Sequence, residues 1–157
     1  MMESRINLTV THCIFYIYHT FAFRSDGNLT SEEKKTISNF MFRWVGKDQK
    51  KMDQVITETL AWSKDNIKSL NDQISAMLSM ADFLKAQQDF HMERKEYFLM
   101  DIRNIARSDG KFIDQQKKWH DMLANILGLD IRISRASHED ISGEVQKVEK
   151  RKIGFRR

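Results

Sequence analysis

Arg24-Ser-Asp-Gly-Asn-Leu-Thr-Ser-Glu-Glu-Lys-Lys35 and Arg107-Ser-Asp-Gly-Lys-Phe-Ile-Asp-Gln-Gln-Lys-Lys118 carry the same punctuation. Each opens Arg-Ser-Asp-Gly, sets an apolar residue two places on (Leu29, Phe112) and closes Lys-Lys, the second copy following the first by 83 residues. An apolar run precedes each copy, and a helix-spaced apolar pattern follows it. Self-similarity in register with its flanks marks a duplicated supersecondary unit. The expectation is one helix–loop–helix used twice, over residues 9–45 and 90–127.

The rest of the chain reads as helix. Val10, Ile14, Ile17, Tyr18 and Phe21 recur at helical spacing, predicting a first helix over 9–24. Asp26-Gly27 breaks it, because Gly takes a positive φ at little cost and Asp bonds its own backbone in a turn. Thr30-Ser-Glu-Glu33 has the capping-box spacing for the next helix, lined by Ile37, Met41, Trp44 and Val45 and stopped at Gly46. Met52, Val55, Ile56 and Leu60 mark a third helix, and Ile67, Leu70, Ile74, Met77 through Leu84 a long fourth. Phe90, Phe98, Ile102 and Ile105 lead into the second Asp-Gly break. Asp114 is the expected cap of the last helix, with Trp119, Leu123, Ile126 and Leu127 on its stripe and Gly128 at its end. No useful period-2 alternation occurs. The fold class expected is all-α, with six or seven helices.

Composition agrees. The chain of 157 residues contains no proline, which leans toward helices with short connections. A lone Cys13 cannot form an internal disulfide, so a reducing, cytoplasmic setting is expected. The apolar run 13–23 is too short to cross a bilayer. Charge divides the chain at residue 130. Beyond it stand eight basic and four acidic residues, a surplus equal to the whole chain's net +4. A helical domain over 1–130 is therefore electrically balanced, followed by a basic tail over 131–157. The domain shows no bias toward nucleic acid, and any attraction to anionic surfaces sits in the tail. Val145, Val148 and Ile153 suit either a short amphipathic helix or a solvated tail.

Chemistry-bearing patterns are sparse. Aligning Gly27 with the glycine of an EF-hand puts Ala22 and Arg24 where calcium needs carboxylates, and the second copy offers Ile105 and Arg107 there. Neither loop is a working EF-hand. A pseudo-twofold would still bring Asp26, Glu32, Glu33, Asp109 and Asp114 toward one another. Capping and Asx turns account for the same residues without a metal. His12 and His19 lie seven apart, too far to share one ion, and His91, His120 and His138 sit in no motif. Cys13 in an apolar run suits an inert core thiol. No G-x-S-x-G, P-loop, dinucleotide or zincin pattern is present, so nothing argues for an enzyme.

The paired Arg-Ser-Asp-Gly loops, with Ile126-Leu-Gly-Leu-Asp130 closing the second, resemble the two signature motifs of the TerB-like family of tellurite-resistance domains. The resemblance spans about residues 8–130 and is specific mainly at the two loops and the helices after them. It implies a compact all-helical fold with an internal duplication. It also implies a non-enzymatic role in tellurite and other chemical stress, exercised through protein partners at or near the inner membrane surface. The divalent cation proposed for the family (calcium, magnesium or manganese) would fall to Asp26, Glu33 and Asp109. Gln115 and Gln116 depart from the pattern, standing where the second motif usually has acids. Two other readings remain open: a hydrolase or redox enzyme with dispersed site residues, and a nucleic-acid or membrane-surface binder acting through the basic tail.

Overall fold

A computed structural model describes residues 7–22, 31–107, 114–133 and 153–155. Six helices occur in that portion: α1 (Val10–Ala22), α2 (Ser31–Val45), α3 (Gln49–Asn66), α4 (Leu70–Lys85), α5 (Met92–Arg107) and α6 (Asp114–Leu127). The all-α class expected from periodicity is what the chain adopts.

α1 is the axis of the fold. Its sequence is apolar on every side, and such a helix must be covered all round. α2, α3, α4 and α5 all pack on it, while α6 packs on α4 and α5. Cys13, Ile14, Ile17 and Tyr18 are completely buried. The hydroxyl of Thr20, buried among them, bonds back to the Tyr16 carbonyl at 2.9 Å, so it is not left an orphan donor.

Local chemistry sets the breaks. Gly46 and Gly128, at φ +83° and +82°, follow the last residues of α2 and α6 and take the left-handed conformation that ends a helix. Ile67 does not belong to the fourth helix, as its apolar spacing suggests; it lies at the C-cap of α3. The reason is Ser69, whose hydroxyl accepts the Asp72 N–H at 3.1 Å, while the Asp72 carboxylate accepts the Lys68 N–H at 2.9 Å. This reciprocal cap starts α4 at Leu70, and Leu70 is half exposed as a first-turn residue. Asp114 is the first residue of α6.

Two short pieces of the basic C-terminal segment rest on the helices. Residues 131–133 follow α6, and Ile131 packs against the core. Farther on, Leu8 and Phe155 form an isolated parallel bridge, the Leu8 N–H donating to the Gly154 carbonyl at 3.1 Å. The Phe155 ring stacks on Phe83 with centroids 4.4 Å apart. Ile153 lies outside any helix. Among the described residues, no helix is long and apolar enough to cross a membrane.

Candidate functional site

Asp26 and Asp109 lie outside the described residues, as does the Thr30 half of the first capping box. The backbone of Glu33 sits in the first turn of α2, and its side chain is likewise outside them. Among the described residues, no group of three or more His, Cys, Asp or Glu side chains is placed to hold a metal ion. What the structure does give is the helix ends that bracket the two motifs. The Gln116 side-chain amide, in the first turn of α6, donates to the Phe21 carbonyl near the end of α1 at 2.9 Å. Trp119 meets the Phe21 ring edge-on, centroids 6.2 Å apart. The end of the helix before the first motif is thus fastened to the start of the helix after the second. A carboxylate at 116 could not make that bond, since it has no N–H to give.

A buried polar network joins α1, α2 and α5. The Tyr18 hydroxyl donates to Asp101 Oδ2 at 2.6 Å, and Arg43 Nη1 donates to the same oxygen at 2.8 Å. Trp44 Nε1 donates to the Tyr18 oxygen at 2.9 Å. Asp101 is fully buried, and its Oδ1 meets no donor among the described residues. Burial is the main force on this carboxyl and raises its pKa, against the opposing pull of Tyr18 and Arg43. Burial, the Asp101 charge and the bond to it also push the Tyr18 hydroxyl well above its ordinary range. Tyr18 and Asp101 are 83 residues apart, the offset of the sequence repeat.

α6 carries a second buried cluster. Arg103 Nη1 donates to His120 Nε2 at 2.9 Å, so that nitrogen is the acceptor and the imidazole is neutral with its proton on Nδ1. Nδ1–H donates to Asp121 Oδ1 at 2.9 Å. Both Asp121 oxygens also take the Ile133 N–H, each at 2.9 Å. Burial lowers the His120 pKa first, outweighing the Asp121 bond that raises it. A cavity of about 230 Å³ opens beside Asp121, between Asn125 and the turn through Gly128 to Arg132.

The third cluster stands where α1 begins. His12 Nδ1 accepts the Thr9 N–H at 3.1 Å and lies 2.6 Å from Thr9 Oγ1. Nε2–H donates to Glu58 Oε1 of α3 at 3.1 Å. His12 does for the α1 N-terminus what Glu does in a capping box. The cluster lines a cavity of about 360 Å³ together with Lys51, Gln54 and Gln87. Its order, hydroxyl to imidazole to carboxylate, is that of an acyl-transfer triad.

The remaining candidates are inert. Cys13 is completely buried, and burial pushes its thiol well above the ordinary range, away from thiolate chemistry. His19 is pushed down to about 4 by burial and stays neutral. His12 is buried and bonded at both ring nitrogens, and the cluster around His120 carries no sequence motif. No protein-family model, curated protein or solved structure matches the chain.

Proposed function

We propose that this chain is a non-catalytic, TerB-like domain of the tellurite and chemical-stress class, which docks partner proteins and binds a divalent cation at its acidic loops. One observation carries the reading: Tyr18 and Asp101, equivalent positions of the sequence repeat, meet in the core. Equivalent residues touch only near an axis relating two copies, so the contact supports a duplicated unit with paired loops. The Gln116–Phe21 bond supports it again, since it draws the motif-bracketing helix ends together. The loss of acid at 116 then has a structural cause and weights cation binding toward Asp26 and Glu33 of the first loop, with Asp109 from the second. Few carboxylates mean weak binding of a hard cation. The basic tail provides attraction to an anionic membrane surface near which such a domain would work.

Calorimetric titration with calcium, magnesium and manganese tests this. The wild type should give heat at millimolar cation or below, and Asp26→Asn, which keeps the turn-forming side chain and removes its charge, should give much less. Silence in the wild type, or equal binding by the variant, rejects the cation.

A hydrolase is the second reading, favoured by the Thr9–His12–Glu58 chain beside its cavity. Thr9 Oγ would attack an ester carbonyl as His12 Nδ1 takes its proton; the ester's acyl–oxygen bond would then break, its alcohol leaving with that proton, and water would free the acyl group from Thr9 by the same route. The N–H groups of the first turn of α1, which no helical carbonyl can reach, would face the developing oxyanion. Turnover of p-nitrophenyl acetate that disappears in Thr9→Val and in His12→Gln would establish it; unchanged background hydrolysis in all three would dismiss it.

A further inference from the structure

His120 is completely buried, and its two ring nitrogens are engaged in opposite senses. Nδ1–H donates to Asp121 Oδ1, and Nε2 accepts from Arg103 Nη1 at 2.9 Å. A guanidinium offers donors only. A proton on Nε2 therefore sets N–H against N–H and cation against cation, and the two groups cannot keep that distance. The charges that act on the ring are Arg103 and Arg107 of α5 and Asp121 beside it. The buried residues of α4, which also packs on α6, carry no charge. In the segment after α6, Arg132 reaches Asp130 at 3.6 Å. Arg103 also lines a groove of about 390 Å³ with Glu93, Glu96, Tyr97, Met100 and Ile131. Glu96 precedes it by two helical turns, about 10 Å along the axis. Long helical side chains lean toward the helix N-terminus, which sets Arg103 to reach Glu96. Neither Glu93 nor Glu96 forms an ion pair with a described residue.

We propose that His120 and Arg103 form a proton-operated switch, in which a proton on His120 Nε2 expels the Arg103 guanidinium and Arg103 crosses to Glu96 in the groove. The proton comes from solvent and forms one new N–H bond, and Arg103 keeps all of its own. Burial is the main force that holds the ring neutral, Arg103 and Arg107 add to it, and the bond and charge of Asp121 oppose it. The switch therefore turns in acid, below the ordinary imidazole range. Burial and Arg107 also oppose the Arg103 charge where it sits, and the move toward Glu96 takes it away from both. Asp121 keeps the Nδ1–H in either state, so the Ile133 latch stays closed while the groove changes charge. At neutral pH the groove carries two uncompensated carboxylates, and in acid Arg103 offsets one of them.

Nuclear magnetic resonance on the full chain, labelled at histidine and arginine and titrated from neutral pH into acid, tests the proposal. His120→Gln and Arg103→Met assign the two signals. In the wild type the His120 Nε2 signal should pass from acceptor to protonated form, and the Arg103 side-chain signals should move with the same midpoint. Arg103→Met should raise the proton affinity of His120 by about tenfold or more, as the loss of an adjacent like charge does. Glu96→Gln should lower it by about threefold, the worth of one exposed ion pair. In the Arg103→Met background Glu96→Gln should change nothing, because Glu96 acts through Arg103. Circular dichroism identifies a variant that has merely unfolded. Arg103→Gln, which keeps an N–H donor and drops the charge, then takes the place of Arg103→Met with the same expected direction. A His120 that stays neutral until the fold is lost overturns the proposal. So does an Arg103 variant that leaves the His120 titration unchanged, or a Glu96 effect that is equally large without Arg103.

Discussion

Asp101 of α5 and Asp121 of α6 are both buried carboxylates, and they spend their oxygens differently. Asp121 fills both, taking the Ile133 N–H on each and the His120 Nδ1–H on one. These bonds are short in sequence, reaching one and twelve residues away, so they latch the chain after α6 to that helix. Asp101 crowds Tyr18 and Arg43 onto one oxygen and leaves the other without a donor among the described residues. Its partners come from α1 and α2, far off in sequence. The satisfied carboxylate serves local closure. The half-satisfied one serves long-range assembly and carries the desolvation cost of an orphan acceptor.

Removing the latch should do the most damage. Asp121→Ala strands the buried His120 Nδ1–H and the half-buried Ile133 N–H, and the expected loss is about 3–5 kcal/mol in urea unfolding. Amide exchange at Ile133 should accelerate in the same variant. If Asp121→Ala unfolds no more easily than Asp101→Asn, the contrast between the two carboxylates is mistaken.

Acid should come next. His19 titrates at about 4 in the fold but near 6.5 when unfolded, and the His120 pKa is lowered too. The unfolded chain therefore binds more protons below 6.5, and stability falls as pH drops from about 6.5 toward 4. For His19 alone the loss is on the order of 2–3 kcal/mol. Asp101 works in the opposite sense, since its pKa is raised in the fold. Its protonation on folding lends stability at low pH that is lost as pH rises through the raised value. Melting curves from about pH 7.5 to about pH 4.5 should slope steeply downward toward acid in the wild type and less in His19→Leu. Equal slopes would remove His19 from the account.

Tyr18→Phe sharpens the view of Asp101. It deletes one donor to the carboxylate and the acceptor for Trp44 Nε1, for an expected cost of about 1–2 kcal/mol in urea unfolding. No loss would mean that Arg43 alone satisfies the site. The smallest effect should belong to Gln116→Glu, which forfeits one neutral bond to the Phe21 carbonyl for about 0.5–1.5 kcal/mol. Gln116→Glu that melts no lower than wild type would free that position from its structural duty and reopen it to a cation.

The all-α class and the six helices of the described residues were legible because apolar residues at i, i+3, i+4 and i+7 overdetermine a helix, and because Gly46 and Gly128 end theirs by a conformation few other residues adopt. The start of α4 was legible in principle: Ser69-Leu-Asn-Asp72 is a cap spelled out, but the apolar letters Ile67 and Leu70 on either side obscured it. The polar clusters were hidden by the same habit. Asp101 falls on the stripe of Phe98, Ile102 and Ile105, and His120 on that of Leu123, Ala124 and Leu127. A stripe read from apolar letters alone drops its polar members, and a charged residue on the buried face is the signal that could have found them. The partners Tyr18, Arg43 and Ile133 depend on tertiary packing, which no local spacing encodes.

The junction of Leu8 with Gly154 and Phe155 sets the order in which the protein would come apart under tension. Load applied from outside residues 8 and 155 reaches that bridge before it reaches any described helix. The Leu8–Gly154 hydrogen bond and the stacked Phe83–Phe155 rings resist it there, and among the described residues the bridge has no neighbouring rung to share the force. A stretched molecule should therefore yield in two events. The clasp between Leu8 and Phe155 parts at low force, and the helical body around α1 gives way only at higher force.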